Sequence, residues 1–140
     1  MPELPDITVY VEALEQRVRG HVLESTRIAH PFLLRTFDPP LSALHGRRVE
    51  SLRRVGKRIA LGFEGDHWLV FHLMIAGRLH WAASGPRSAG KTVQAVFRFS
   101  SGTLTLTEAG SKKRAALHYL AGVAALDAWT LEGWSRWGRR

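Results

Sequence analysis

Between Pro5 and Gly20 the apolar residues Ile7, Val11, Leu14 and Val18 recur every three or four positions, which lines them along one face of a helix. Pro5 suits the first helical position, where its missing N–H is not needed, and Asp6 falls in the first turn, where the helix dipole favours a carboxylate. Gly20 follows as a residue able to stop the helix in left-handed backbone. After Gly20 the period drops to two. Val22-Leu23 to Ile28 reads as a strand and Val49 to Val55 as another. Ile59, Leu61 and Phe63 alternate with Arg58, Ala60 and Gly62 before a turn at Glu64-Gly65-Asp66. Trp68 to His72, Arg78 to Trp81 and Val93 to Phe99 continue the series. Ser100-Ser101-Gly102 turns the chain, and Thr103, Thr105 and Thr107 then alternate with Leu104 and Leu106. One helix followed by short, regularly turned strands predicts a mainly β protein with α: a two-layer antiparallel β-sandwich preceded by an N-terminal amphipathic helix.

Two stretches break the pattern. Pro31 to Leu41 holds Pro31, Pro39 and Pro40, and Ala82 to Lys91 is basic and rich in small residues, so both are expected as loops, the second flexible. Gly85 to Thr92 matches the G-x-x-x-x-G-K-[ST] spacing of a phosphate loop, but the strand pattern from Val93 follows where such a loop needs a helix, so it is not read as one. Val123 to Trp129 fits a helical turn or two, and Trp134 to Arg140 has no period. The division expected is one domain over 1–121 and a tail over 122–140, partly helical or disordered. Trp129, Trp134 and Trp137 are read as packing on the body or as a frayed remnant rather than as stacking on bases.

Composition narrows the function. At 140 residues the chain can bury a real core as one domain. It has no run near the roughly 18 apolar residues of a membrane span. Its start lacks the basic and apolar regions of a signal peptide, so a cytoplasmic protein without a membrane partner is expected. Twenty Lys and Arg against twelve Asp and Glu give a net charge of +8, which favours polyanionic partners through counterion release. Absence of cysteine excludes disulfides and a Cys-ligated zinc. The seven histidines show no paired ligand spacing, so neither a metal nor a cofactor is expected.

The opening, Met1-Pro2-Glu3-Leu4-Pro5-Asp6, carries candidate chemistry. Removal of Met1 would leave the secondary amine of Pro2 at the head of the chain, just outside a helix N-terminus whose positive potential disfavours the protonated amine. A secondary amine that condenses with an aldehydic carbon gives an iminium with no N–H to lose, a permanent electron sink. Glu3 places a proton-exchanging carboxyl beside it.

This hexapeptide resembles the opening of the formamidopyrimidine-DNA glycosylase and endonuclease VIII family. So do Arg53-Arg54-Val55-Gly56-Lys57-Arg58 and His72-Leu73-Met74-Ile75-Ala76-Gly77-Arg78-Leu79, in register across about eighty residues. The resemblance implies base excision on damaged or abasic DNA, with glycosylase and abasic-site lyase steps through one nitrogen. Pro2 would attack C1′ of a flipped nucleotide, with Glu3 transferring the proton. Asp6 stands where the family has an assisting glutamate, and Lys57 where it has a phosphate-contacting hairpin lysine. His72 and Arg78 would meet DNA backbone. Ile75 stands where a methionine usually fills the hole left by the flipped nucleotide, and Met74 is one place early. Lys112, Lys113 and Arg114 would meet DNA, with Lys113 or Arg114 standing for the arginine that enters the duplex, but Ala115 stands where the accompanying aromatic would.

Full-length members continue into a helix-two-turn-helix domain and a finger. The resemblance therefore covers the first domain, about half of such a protein, and implies weak activity alone, or a separate polypeptide that supplies the rest. Two rivals remain open. One is a non-catalytic basic nucleic-acid-binding domain with a relic site; the other is an N-terminal-proline tautomerase, which the helix directly after Pro2 and the +8 charge disfavour.

Overall fold

The structure, a computed structural model, describes residues 4–30, 33–35, 40–74, 76–83, 92–109 and 114–122. Helix α1 spans Leu4–Val18. Ile7, Leu14 and Val18 are buried and Val11 packs beside them, as the three-and-four spacing requires. Gly20 then turns at φ +83, and its N–H donates to Val49 O at 2.7 Å, tying the helix end to a strand.

The strands are β1 (Leu23–Ile28), β2 (Val49–Val55), β3 (Arg58–Phe63), β4 (His67–His72), β5 (Gly77–Ala82), β6 (Val93–Phe99), β7 (Gly102–Glu108) and β8 (Ala116–Ala121). They form two antiparallel sheets of four, ordered β1-β6-β7-β5 and β2-β3-β4-β8. The expected helix-led sandwich is the observed fold. Alternation explains the core: Ile59, Leu61 and Phe63 of β3, Leu69 and Phe71 of β4, and Leu117 and Tyr119 of β8 share one buried cluster with Phe97, Phe99, Leu104 and Leu106. Phe71 and Phe97 meet edge to face across the sheets, with centroids 5.3 Å apart. On the opposite face of β3 and β4, Ala60, Trp68 and Val70 make a smaller cluster, and the Arg53 guanidinium lies 4.6 Å from the centre of the Trp68 ring.

Every strand read from alternation is present, and β8 is the addition. Its sequence offers only Leu117 and Tyr119 as inward markers between alanines, which prefer helix. β4 supplies the missing instruction, pairing from His67↔Ala121 to His72↔Ala116. The segment expected as a loop at Pro31–Leu41 is tied down where it is described. Leu33 is buried, Leu34 forms a parallel bridge with Leu117, and the Arg35 N–H donates to Leu117 O at 2.9 Å. Leu41–Leu44 adds a 3-10 turn that buries Leu41 and Leu44. The loop residues 84–91 and the tail beyond Gly122 lie outside the described residues. Among the described residues, no helix is long and apolar enough to cross a membrane.

Candidate nucleic-acid interface

Strands β2 and β3 close on a two-residue turn, with Val55 paired to Arg58 around Gly56-Lys57. Gly56 takes φ +63 at the first turn position, the place a type II′ hairpin reserves for glycine. Arg54 braces the turn by donating from Nη1 to Gly56 O at 2.8 Å. Lys57 is thereby fixed at the hairpin tip.

The same end of the sheet gathers further basic side chains. Ile59 pairs with Phe71, so Arg58 and His72 are neighbours on the outer face, and the Val70↔His118 pair sets His118 one row away. Both imidazoles are partly buried. Burial, followed by the charges of Arg58, His118 and Lys57, pushes His72 down to about 4. Burial, then Arg35 and Arg58, does the same to His118. The sheet end thus holds Arg35, Lys57 and Arg58 around two imidazoles that are neutral at pH 7.

Both histidines have folded-state pKa values below the unfolded 6.5, so the unfolded chain binds more protons in acid. The stability carried by the neutral rings is complete above pH 6.5 and lost as pH falls towards 4. Each ring contributes a slope of at most about 1.4 kcal/mol per pH unit, reduced because both are partly exposed to solvent. Urea unfolding between pH 7 and 4.5 should show stability falling with acid, and His118→Asn should remove about half of the slope assigned to this pair. An unchanged slope in His118→Asn and His72→Asn would remove the assignment.

Beyond β4 the chain doubles back sharply. Leu73 is buried, Met74 sits at φ +61, and the Gly77 N–H donates to Leu73 O at 3.0 Å. A left-handed non-glycine residue costs on the order of 1 kcal/mol and persists only where its surroundings hold it. Arg78 follows on β5 opposite Thr107. Across β7, the carboxylate of Glu108 accepts from the Arg114 N–H at 2.8 Å.

Of the residues proposed from sequence, Lys57 and His72 meet at one sheet end, Arg78 opens β5 and Arg114 leads into β8. Asp6 lies in the first turn of α1 by its backbone. Pro2, Glu3, Ile75, Lys112 and Lys113 lie outside the described residues. Sequence reasoning missed Arg58 and His118 as partners of His72, and Arg35 as a partner of His118. Arg58 was legible as an outward position of β3, whereas His118 had no signal until β8 was placed. Among the described residues, no group of three or more His, Cys, Asp or Glu is placed to hold a metal ion.

Comparison with known proteins bears on the same region. Residues 1–115 match the family model of the formamidopyrimidine-DNA glycosylase N-terminal domain. A formamidopyrimidine-DNA glycosylase of Solibacter usitatus is 37% identical over 106 residues, covering 74% of this chain and 38% of the relative. That of Mycoplasmopsis pulmonis is 28% identical over 105 residues, with the same coverage. The chain therefore spans well under half the length of these relatives. In fold it is similar to the Lactococcus lactis enzyme crystallised with DNA containing an AP site, at a TM-score of 0.82 and 21% identity, covering 93% of this chain and 49% of that one. A MutM structure in complex with DNA containing carbocyclic 8-oxo-G gives 0.80 and 23%, covering 91% and 47%. With the family match extending over most of its length, the chain belongs to the formamidopyrimidine-DNA glycosylase N-terminal domain family.

Proposed function

We propose that the chain serves DNA base-excision repair in the cytoplasm, as the part of a bifunctional glycosylase and abasic-site lyase that holds the nucleophile. The observation that carries this reading is the family match, which begins at residue 1 and so includes Pro2 and Glu3. Damaged or abasic DNA is the partner, supported by the DNA in the solved complexes of similar fold and by the +8 charge.

In the glycosylase step the Pro2 nitrogen attacks C1′, and the bond from C1′ to the damaged base breaks with its electrons leaving on the base. The Pro2 N–H proton passes to the departing base, Glu3 delivers a proton to the ring oxygen as the sugar opens, and the freed nitrogen lone pair completes the iminium. Loss of the C2′ proton gives an enamine, whose electrons expel the 3′ phosphate. Water then releases Pro2. Asp6 assists at the helix start. Lys57, His72 and Arg78 hold backbone phosphates, Ile75 enters the hole left by the nucleotide, and Lys112, Lys113 and Arg114 support the opposite strand. Since the chain covers 38% of its relatives' length, we expect it to bind and react more weakly than a full-length enzyme, or to need a separate polypeptide.

Borohydride trapping on abasic DNA separates this reading from a basic domain that only binds: the enzyme leaves a covalent adduct and the binder none. Binding itself should favour an abasic duplex over an undamaged one and weaken steeply with salt. Each phosphate contact contributes about −0.9 to the slope of log K against log salt. A flat salt response would remove the electrostatic basis of the proposal.

A further inference from the structure

Strand β7 sends Leu104 and Leu106 into the core, and its alternation carries Glu108 to the same inward side. Glu108 is 1% exposed. A carboxylate so deeply buried needs donors. The Arg114 N–H donates to its Oε2 at 2.8 Å, and the Ala115 N–H lies 3.0 Å from Oε2 and 3.2 Å from Oε1. These amides stand at the far end of the connection 109–113, which leaves β7 at Glu108 and returns to enter β8. The backbone of Glu108 is fixed as well. Its N–H donates to Thr92 O at 2.8 Å, and it pairs with Gly77, whose own N–H closes on Leu73 O.

We propose that Glu108 is a positioning residue whose carboxylate draws the Arg114 and Ala115 amides onto the end of β7 and thereby fixes where Arg114 stands relative to Gly77 and Arg78 at the start of β5. The assignment rests on the proposed function for what Arg78 and Arg114 meet, namely the DNA around the reacting nucleotide. Glu108 itself touches no substrate. An apolar side chain here leaves two amides without their acceptor, and aspartate, one methylene shorter, reaches less far across the connection.

The test compares the 140-residue chain with Glu108→Gln, which keeps the length and one acceptor oxygen, and Glu108→Leu, which keeps bulk without an acceptor. Dissociation constants are measured for a duplex holding one stable abasic-site analogue and for the same duplex undamaged, together with amide exchange at Arg114 and Ala115. Glu108→Leu should exchange these two amides faster and lose about tenfold of the preference for the abasic duplex, a change of about 1.4 kcal/mol, while its affinity for undamaged DNA stays within about twofold. Glu108→Gln should fall between it and the wild type, and it carries the test if the leucine variant does not fold. Equal losses on both duplexes, or faster exchange with an unchanged preference, would reduce Glu108 to a structural residue and overturn the inference. A wild type with no abasic preference overturns the reading of the site and the role of Glu108 together. A wild-type preference that both variants retain overturns this inference alone.

Discussion

Blocking the amine of Pro2 is expected to abolish covalent capture of abasic DNA, and Pro2→Gly to weaken it at least tenfold. The physical reason is the order of the amine. A secondary amine gives a cation that cannot deprotonate, whereas glycine's primary amine gives a Schiff base that loses its proton and becomes a poorer electron sink. Abasic DNA already exposes a ring-opened aldehyde and needs no base removed, so it makes the least demand on the rest of a binding cleft. Glu3→Gln should spare binding and slow the reaction by roughly a hundredfold, the scale of one positioned proton transfer. Lys57→Ala should act mainly on binding at the reacting sugar. Wild type and variants would be incubated with abasic DNA and borohydride, adducts counted on gels and the attachment site found by peptide mapping. An adduct on an internal lysine, or equal capture by an N-terminally blocked chain, would show that Pro2 is not the nucleophile. Mass spectrometry of the intact protein supplies the precondition, because a retained Met1 blocks the chemistry at the outset.

Gly77→Ala should be the more damaging of two glycine substitutions at this end of the molecule. A Cβ on Gly77 would lie 2.3 Å from Leu73 O, a backbone atom held by the Gly77 N–H itself. Relief requires the whole 73–77 turn to open, which we place at about 3 kcal/mol, or roughly 10 °C in melting temperature. Gly56 is the control. A Cβ there meets nothing within 4 Å, so Gly56→Ala is charged only for its φ of +63, on the order of 1 kcal/mol. Thermal melts of both variants decide the matter. Equal losses, or a larger loss at Gly56, would mean that the turn after β4 yields more readily than its geometry states.

The helix and most strands were legible because each carries its own period. Ile7, Leu14 and Val18 mark a helix face by themselves, and Ile59, Leu61 and Phe63 mark a strand face by themselves. β8 was not legible, because its inward Leu117 and Tyr119 span too little chain to establish alternation and its conformation is imposed by β4. The site divides along the same line. Lys57 was readable from the family resemblance of the Arg53–Arg58 run, while the lowering of His72 comes first from burial and then from Arg58 and His118, which only strand register brings alongside. Glu108 was hidden for a related reason. A glutamate ending a Thr-Leu alternation reads as a solvent-facing terminus until the amides of Arg114 and Ala115 are found folded back over it.

The pairing of β4 with β8 also sets an order of events in time. Strands β2, β3 and β4 are consecutive hairpins that can form from neighbouring chain, but β8 joins them only after the chain has crossed to the other sheet for β5, β6 and β7. Closing such a long interval carries an entropic cost before any contact offsets it, which slows this step relative to the hairpins. His118 therefore reaches the basic sheet end late, and the electrostatic environment of His72 is incomplete until it does. A chain cut or stalled between β7 and β8 keeps the Lys57 hairpin but lacks the finished surface, so the DNA recognition proposed for this end would belong to the fully folded sandwich and not to any early intermediate.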